Sequence, residues 1–199
     1  VESETSAAVA GGITTVFEMP ITDPCCNSAE RVWLRRDHFA KTARADFALY
    51  AAPATLTQAY IEALAEAGTI ALKIFTTAAP SGRGAEFEGL SWPDAADQLK
   101  VLRLAAQVGL PVVVHAEHQN ILARAAAAAR VLDPSDAATH NAARPALAEA
   151  LAVAQLLTLN IEAQAKLHIA HVTSARVLDI LRRFADTSDF SAETCPHYL

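Results

Sequence analysis

The sequence lacks the long uncharged apolar run that a membrane-spanning helix needs. No stretch of about 18 apolar residues without a charge occurs, although hydrophobic residues make up 52% of the chain. A membrane span is therefore not expected, and the apolar residues are available for a buried core. The chain also lacks a basic patch with interleaved aromatic side chains, and its formal net charge is −6. Nucleic acid is therefore not an expected partner.

Cysteine is scarce, with only Cys25, Cys26 and Cys195 in 199 residues. Three cysteines cannot all pair within one chain, and adjacent cysteines rarely form a disulfide. We expect reduced thiols and a cytoplasmic protein. The adjacent pair also lacks the C-x-x-C spacing that is typical of a zinc site.

A glycine-rich phosphate loop is missing as well. Gly11 and Gly12 precede a strand-like segment, whereas the dinucleotide-binding loop follows a strand and opens a helix. Six short apolar segments instead alternate with segments of helical spacing, which predicts parallel strands joined by crossover helices. The predicted strands are 13–17, 47–50, 70–75, 112–114, 167–171 and 190–192. The predicted helices are 2–10, 28–43, 57–67, 92–108, 117–130, 145–163 and 174–185.

This alternation fits either an open doubly wound sheet or a (β/α)8 TIM-type barrel, and the missing phosphate loop favours the barrel. Six strands cannot close an eight-stranded barrel. We therefore expect residues 1–199 to form one partial barrel of about six βα units that lacks at least the first and last strands. A six-stranded open fold stays an alternative.

Three polar side chains interrupt apolar strands near their C-terminal ends, where barrel enzymes carry their chemistry. They are Lys73, His115 and His171. Taken alone, each is more often a structural residue, but together they would converge on one barrel mouth. Two imidazoles suit zinc or a similar metal. A buried lysine of lowered pKa could add carbon dioxide, and the resulting carbamate could bridge two metal ions.

The other histidines are weaker candidates, for reasons of position. His118 begins a helix and should be exposed, His140 lies in a polar loop, and His168 comes earlier in its strand. His38 is in a charged helix, and His197 follows Cys-Pro near a strand end. Glu117 either supports a metal ligand or favours the start of a helix.

Several stretches resemble the cyclic amidohydrolases, the family of dihydroorotase, allantoinase, hydantoinase and dihydropyrimidinase. The resemblance covers the whole chain in the family's order. The stretches that carry it are "AAVAGGITTVFEMP" (7–20), "ALKIF" (71–75), "VVVHAEH" (112–118), "ARPALAEALAVAQLL" (143–157), "LHIAHVTSA" (167–175) and "AETCPHYL" (192–199).

The resemblance implies a two-metal hydrolase, with the family's carboxylated lysine at Lys73 and its histidine ligands at His115 and His171. Two divalent ions, expected to be zinc, would hold a bridging hydroxide that opens a cyclic amide such as allantoin, hydantoin or dihydroorotate. The family's His-x-His pair and its general-base aspartate have no counterpart here, and the aspartate is expected beyond residue 199. Residues 1–199 alone are therefore expected to be inactive, and the full-length protein to be a homo-oligomer.

Features of the stretch after Lys73 bear on the subfamily. "KIFTTAAPSGRGAEFEGL" (73–90) is allantoinase-like in its Ser-Gly and Glu-Phe pairs, and it lacks the tyrosine that dihydropyrimidinases place after the lysine. The alternative hypothesis is a non-catalytic barrel of the same family that serves as a scaffold or an assembly subunit.

Overall fold

The computed structural model describes residues 1–199, which form six strands, eight α-helices and a short 3-10 helix. The strands are β1 Thr15–Glu18, β2 Asp46–Ala51, β3 Ala71–Phe75, β4 Val112–His115, β5 Leu167–Ile169 and β6 Phe190–Ala192. The helices are α1 Glu2–Ala10, α2 Ala29–Thr42, α3 Gln58–Glu66, α4 Ala95–Val108, α5 Gln119–Ala129, α6 Ala137–Ala143, α7 Ala146–Ala163 and α8 Ala175–Phe184; the 3-10 helix is Pro196–Tyr198. Every predicted strand and helix is present, with boundaries shifted by a few residues.

The six strands lie in one parallel sheet in the order in which they occur along the chain. A doubly wound sheet reverses its strand order at a switch point, whereas a barrel adds each strand beside the one before it. The sequential order therefore decides between the two predicted folds. The sheet is a curled half-barrel with alternating helices, and the prediction of a partial (β/α) barrel is confirmed.

The two faces of the half-barrel carry different side chains because successive residues of a strand point to opposite sides. One set of strand residues packs under the helices in the main apolar core. That set includes Leu72, Ile74, Val112, Val114, Leu167 and Ile169. The alternate positions form a small separate cluster of Ala71, Val113 and Ala170 against Tyr50. Lys73 pairs in register with Val113, so this second, inner face is where the predicted lysine lies.

The stretch Ala137–Ala163, which covers α6 and α7, is long and apolar enough by length and composition to cross a membrane. Its most apolar window has a mean hydropathy of 1.3, and half of that window is buried in the molecule. A core helix of a folded domain has the same properties. The buried side of α7 includes Leu156 and Leu157, which belong to the main core.

Two local predictions were wrong. The polar stretch around His140, predicted as a loop, forms the helix α6, because the Asp136 side chain accepts a hydrogen bond from Ala138 N at 2.8 Å and caps it. Strand β5 ends at Ile169 and not at His171. His171 has a φ of +42°, in the left-handed region, so the chain leaves the sheet before it.

The loop between β3 and α4 folds back on the loop that follows β2. Gly89 has a φ of +82°, and a Cβ atom there would lie 2.4 Å from Ala54 Cα and 2.8 Å from Ala54 N. Glycine is thus required both for its backbone conformation and for this close approach. The Asn27 side chain donates a hydrogen bond to Glu88 O at 3.2 Å and adds a second attachment. The loop that follows Lys73 is therefore fixed against the sheet.

We predict that Gly89→Ala destabilises the full-length protein much more than Gly109→Ala. Both glycines have φ near +80°, but a Cβ at Gly109 meets nothing within 4 Å. Gly109→Ala should cost about 1 kcal/mol of unfolding free energy for its backbone strain alone. Gly89→Ala adds a backbone clash of about 1–3 kcal/mol. Equal thermal midpoints for the two variants would show that the close approach to Ala54 contributes nothing.

Candidate functional site

The two predicted histidines meet at the C-terminal end of neighbouring strands. His115 is the last residue of β4, and His171 follows β5, which pairs with β4 in parallel. Nδ1 of His115 lies 3.1 Å from Nε2 of His171. Two nitrogens bound to one tetrahedral zinc at 2.0–2.1 Å are about 3.3 Å apart. The separation is thus close to that of two ligands of a single ion.

Lys73 is the third predicted ligand, and it is buried without a partner. Only 2% of the residue is exposed, and its Nζ atom has no hydrogen-bond partner. Burial lowers the pKa of Lys73 to about 8, and the negative charge of Glu193 opposes this shift. The alternative that the lysine extends to water is therefore wrong. A buried amine without a partner is unusual, because such a group normally pairs.

Phe75 connects the lysine to the histidine pair. In the pairing of β3 with β4, Phe75 lies opposite His115. Lys73 lies two residues earlier along β3, opposite Val113. The Phe75 ring stacks on the His115 ring with centroids 4.8 Å apart, and Lys73 Nζ lies 5.3 Å from the Phe75 centroid. Sequence reasoning treated Phe75 only as a core residue. Its position at the end of a strand, two residues after Lys73, was the feature of the sequence that could have placed it near the site.

The charge state of His171 suits a ligand. Burial, together with the nearby charges of His115 and Lys73, lowers the pKa of His171 to about 4. His171 is therefore neutral near pH 7, which is the form that binds metal ions. No group of three or more His, Cys, Asp or Glu side chains in the chain has metal-binding geometry. His115, His171 and Glu117 meet at one cleft, and the charge of Lys73 acts on His171 from nearby.

Glu117 lies directly beside the histidine pair. One carboxylate oxygen, Oε2, contacts Nε2 of His115 at 2.7 Å. Arg144 donates to the same carboxylate through Nε, 3.2 Å from Oε1, and through Nη2 to Oε2. Burial by itself raises the pKa of Glu117, but the hydrogen bonds from His115 and Arg144 outweigh it, so the pKa lies below its usual value. Glu117 is therefore an ionised group in contact with a candidate ligand.

A cleft of about 460 Å³ opens at the histidine pair. Most of its lining is polar. The lining includes His115, Glu117, His140, Asn141, Arg144 and His171. Pockets for hydrophobic ligands are lined mainly by apolar side chains. This polar cleft instead suits a small polar molecule with several hydrogen-bonding groups.

Glu149 also lines the cleft, and the sequence indicated it only as part of the stretch 143–157. This buried carboxylate of α7 accepts hydrogen bonds from Thr173 N at 2.9 Å, from Thr173 Oγ1 at 2.7 Å and from Ser174 Oγ at 3.1 Å. It thereby fixes the loop that follows His171. A charged residue on the apolar stretch of α7 was the signal, because a buried glutamate requires such partners.

The remaining histidines lie outside the pair. His118 is half-buried, with Nδ1 unpaired, so its predicted exposure was wrong. His140 lines the cleft from α6, whereas His197 is exposed and its neighbour Tyr198 lines the cleft instead. His168 contacts Ser191 Oγ through Nδ1 at 2.8 Å.

No family model matches the chain, but individual relatives match it along its length. It is 35% identical over 97% of its length to a protein described as allantoinase from Solibacter usitatus, and 35% identical over 99% to one from Rubrobacter xylanophilus. It covers 41% and 42% of those two proteins. An L-hydantoinase (dihydropyrimidinase) from Arthrobacter aurescens has a similar structure, with a TM-score of 0.88 and 27% identity, and the chain covers 43% of it.

The chain is similar to the cyclic amidohydrolases over its whole length. A second structure, of a D-hydantoinase, matches 99% of the chain with a TM-score of 0.82 and 27% identity. The chain spans about two fifths of the length of the cyclic amidohydrolases that it matches. The family resemblance seen in the sequence is confirmed.

We predict that Glu149→Ala lowers the unfolding free energy of the full-length protein by about 2–4 kcal/mol, because it leaves the Thr173 amide and two hydroxyls without their charged acceptor. Glu162→Ala is the matched control, since Glu162 is an exposed glutamate on the same helix. Thermal unfolding of both variants measures the difference. A Glu149→Ala midpoint equal to that of Glu162→Ala would contradict the prediction.

Proposed function

We propose that this chain contributes metal ligands to a hydrolase that opens the ring of a cyclic ureide or imide, such as allantoin or a hydantoin. The observation that carries the proposal is the 3.1 Å approach of His115 Nδ1 to His171 Nε2 beside a polar cleft. The relatives described as allantoinase and L-hydantoinase support the choice of substrate class.

The chemistry of the donor set fits divalent metal ions. Two imidazole nitrogens already face one point, and imidazole is a common zinc ligand. The buried Lys73 amine has no partner of its own, and a carbamate formed on it would place an anion at the inner face of the half-barrel. His115, His171 and carboxylated Lys73 would then hold two divalent ions, expected to be zinc.

Each residue of the site has a defined task in this proposal. When bound, the metal ions would polarise the ring carbonyl and supply a water-derived nucleophile at neutral pH. His115 and His171 would hold the cations through their ring nitrogens. The cleft residues Asn141 and Arg144 present polar groups that can orient the carbonyls and N–H groups of a ureide ring.

The first test removes the proposed bridging ligand. In the full-length protein, Lys73→Ala should lower divalent metal content and cut ring opening by more than about 100-fold, because removing even a supporting residue costs about 10–100-fold. Metal analysis and a panel of allantoin, hydantoins, dihydrouracil and dihydroorotate provide the readouts. Lys166→Ala, at an exposed lysine, is the matched control.

Either of two results would reject this function. One is a full-length protein without bound divalent metal whose activity survives Lys73→Ala. The other is a protein that binds no metal and acts on none of these rings, which supports the non-catalytic scaffold instead.

The second test detects the carbamate itself. Because burial holds the pKa of Lys73 at about 8, the fraction of neutral amine grows as the pH rises from about 7 to 9. At constant dissolved ¹³CO₂, the carbamate ¹³C resonance of the metal-free full-length protein should increase over this range and be absent in Lys73→Ala. A resonance that is the same in the parent and in Lys73→Ala would contradict carboxylation at this residue.

A further inference from the structure

A carboxylate and a guanidinium stand behind His115, on the side away from His171. Nε2 of His115 contacts Glu117 Oε2 at 2.7 Å, and both oxygens of this carboxyl group accept from the Arg144 guanidinium, so Glu117 is an acceptor toward His115 as well. Nε2 therefore carries the ring proton. In the neutral ring, the other nitrogen, Nδ1, then has its lone pair facing His171.

Arg144 holds Glu117 in place for this contact. Its guanidinium binds both oxygens of the carboxylate, the fork geometry that arginine forms and lysine cannot. Thr76 fixes the backbone of Glu117 as well: Thr76 Oγ1 accepts from Glu117 N at 2.8 Å and contacts Glu117 O at 2.8 Å. The carboxylate thus has little freedom to leave His115.

The segment that begins with Arg144 also contacts the loop that follows His171. Residues 144–149 connect α6 to the first turn of α7. Within them, Ala148 O accepts from His118 N at 2.8 Å, and Glu149 holds Thr173 and Ser174, just after His171. The start of α7 therefore contacts the chain just after each of the two histidines.

We propose that Glu117, fixed by Arg144, is the positioning residue that sets the ring tautomer and orientation of His115, and that residues 144–149 pre-arrange both histidines toward one cation. This inference rests on the proposed metal-binding function. Glu117 and Arg144 lie behind the ring, and they act on the cation only through His115. Partners of this kind commonly change metal affinity by about 10–100-fold when they are removed.

The test uses the full-length protein and Zn²⁺ in competition with a chelator. Glu117→Leu should weaken zinc binding about 10–100-fold. Glu117→Gln retains an acceptor oxygen, so it should recover part of that loss. Arg144→Lys should fall between Glu117→Leu and the parent, because it loses the two-point contact. Asp179→Asn, at an exposed ion pair on α8, is the control and should bind zinc as the parent does.

A second readout needs no metal. Long-range ¹H–¹⁵N spectra of the metal-free full-length protein should report the Nε2–H tautomer for His115 in the parent and in Asp179→Asn. In Glu117→Leu the ring should show a mixture of tautomers, and Arg144→Lys should show a smaller change. Because this signature belongs to one ring, a general loss of stability does not produce it.

The outcomes separate the two proposals. If the parent binds zinc, and Glu117→Leu and Arg144→Lys bind it within twofold of Asp179→Asn with an unchanged tautomer, the positioning role is overturned and the proposed function stands. If the parent binds no zinc, both are overturned.

Discussion

The site depends on two imidazole nitrogens that face each other across 3.1 Å. With the proton of His115 committed to Glu117, Nδ1 presents a lone pair to this gap. A neutral His171 with its proton on Nδ1 presents a second lone pair to the same point. With its proton on Nε2 instead, His171 donates to His115 Nδ1, so the pair can share a proton or ligate one cation. The half-barrel brings the pair together, since β4 and β5 are parallel neighbours whose C-terminal ends share one edge.

Burial then determines what the surrounding groups can do. The same apolar packing that stabilises the inner face removes Lys73 from water and leaves its amine without a partner. It also keeps His171 uncharged near neutral pH. Glu117 stays ionised in a buried place only because His115 and Arg144 bind it. These groups form a consistent set for binding cations: a lysine that can be neutral, a neutral His171 beside His115, and a carboxylate held by Arg144. The same groups would be unfavourable in a purely apolar core.

Much of this arrangement could be predicted from the sequence. Apolar runs and helical spacing predicted every strand, and polar side chains at strand ends predicted that His115 and His171 meet. What was missed depends on contacts between distant segments. The helix α6 is only seven residues long and buries none of them, so only its Asp136 cap marks it. The pairing of Arg144 with Glu117 joins residues 27 positions apart, and no local periodicity indicates such a contact. The close approach of Gly89 to Ala54 is equally non-local.

The most direct measurement of the central claim is the position of the metal in crystals of the full-length protein grown with zinc, located by anomalous scattering. The account predicts an ion within about 2.0–2.1 Å of both His115 Nδ1 and His171 Nε2. An ion bound elsewhere, or the two nitrogens still in direct contact at saturating zinc, would contradict it.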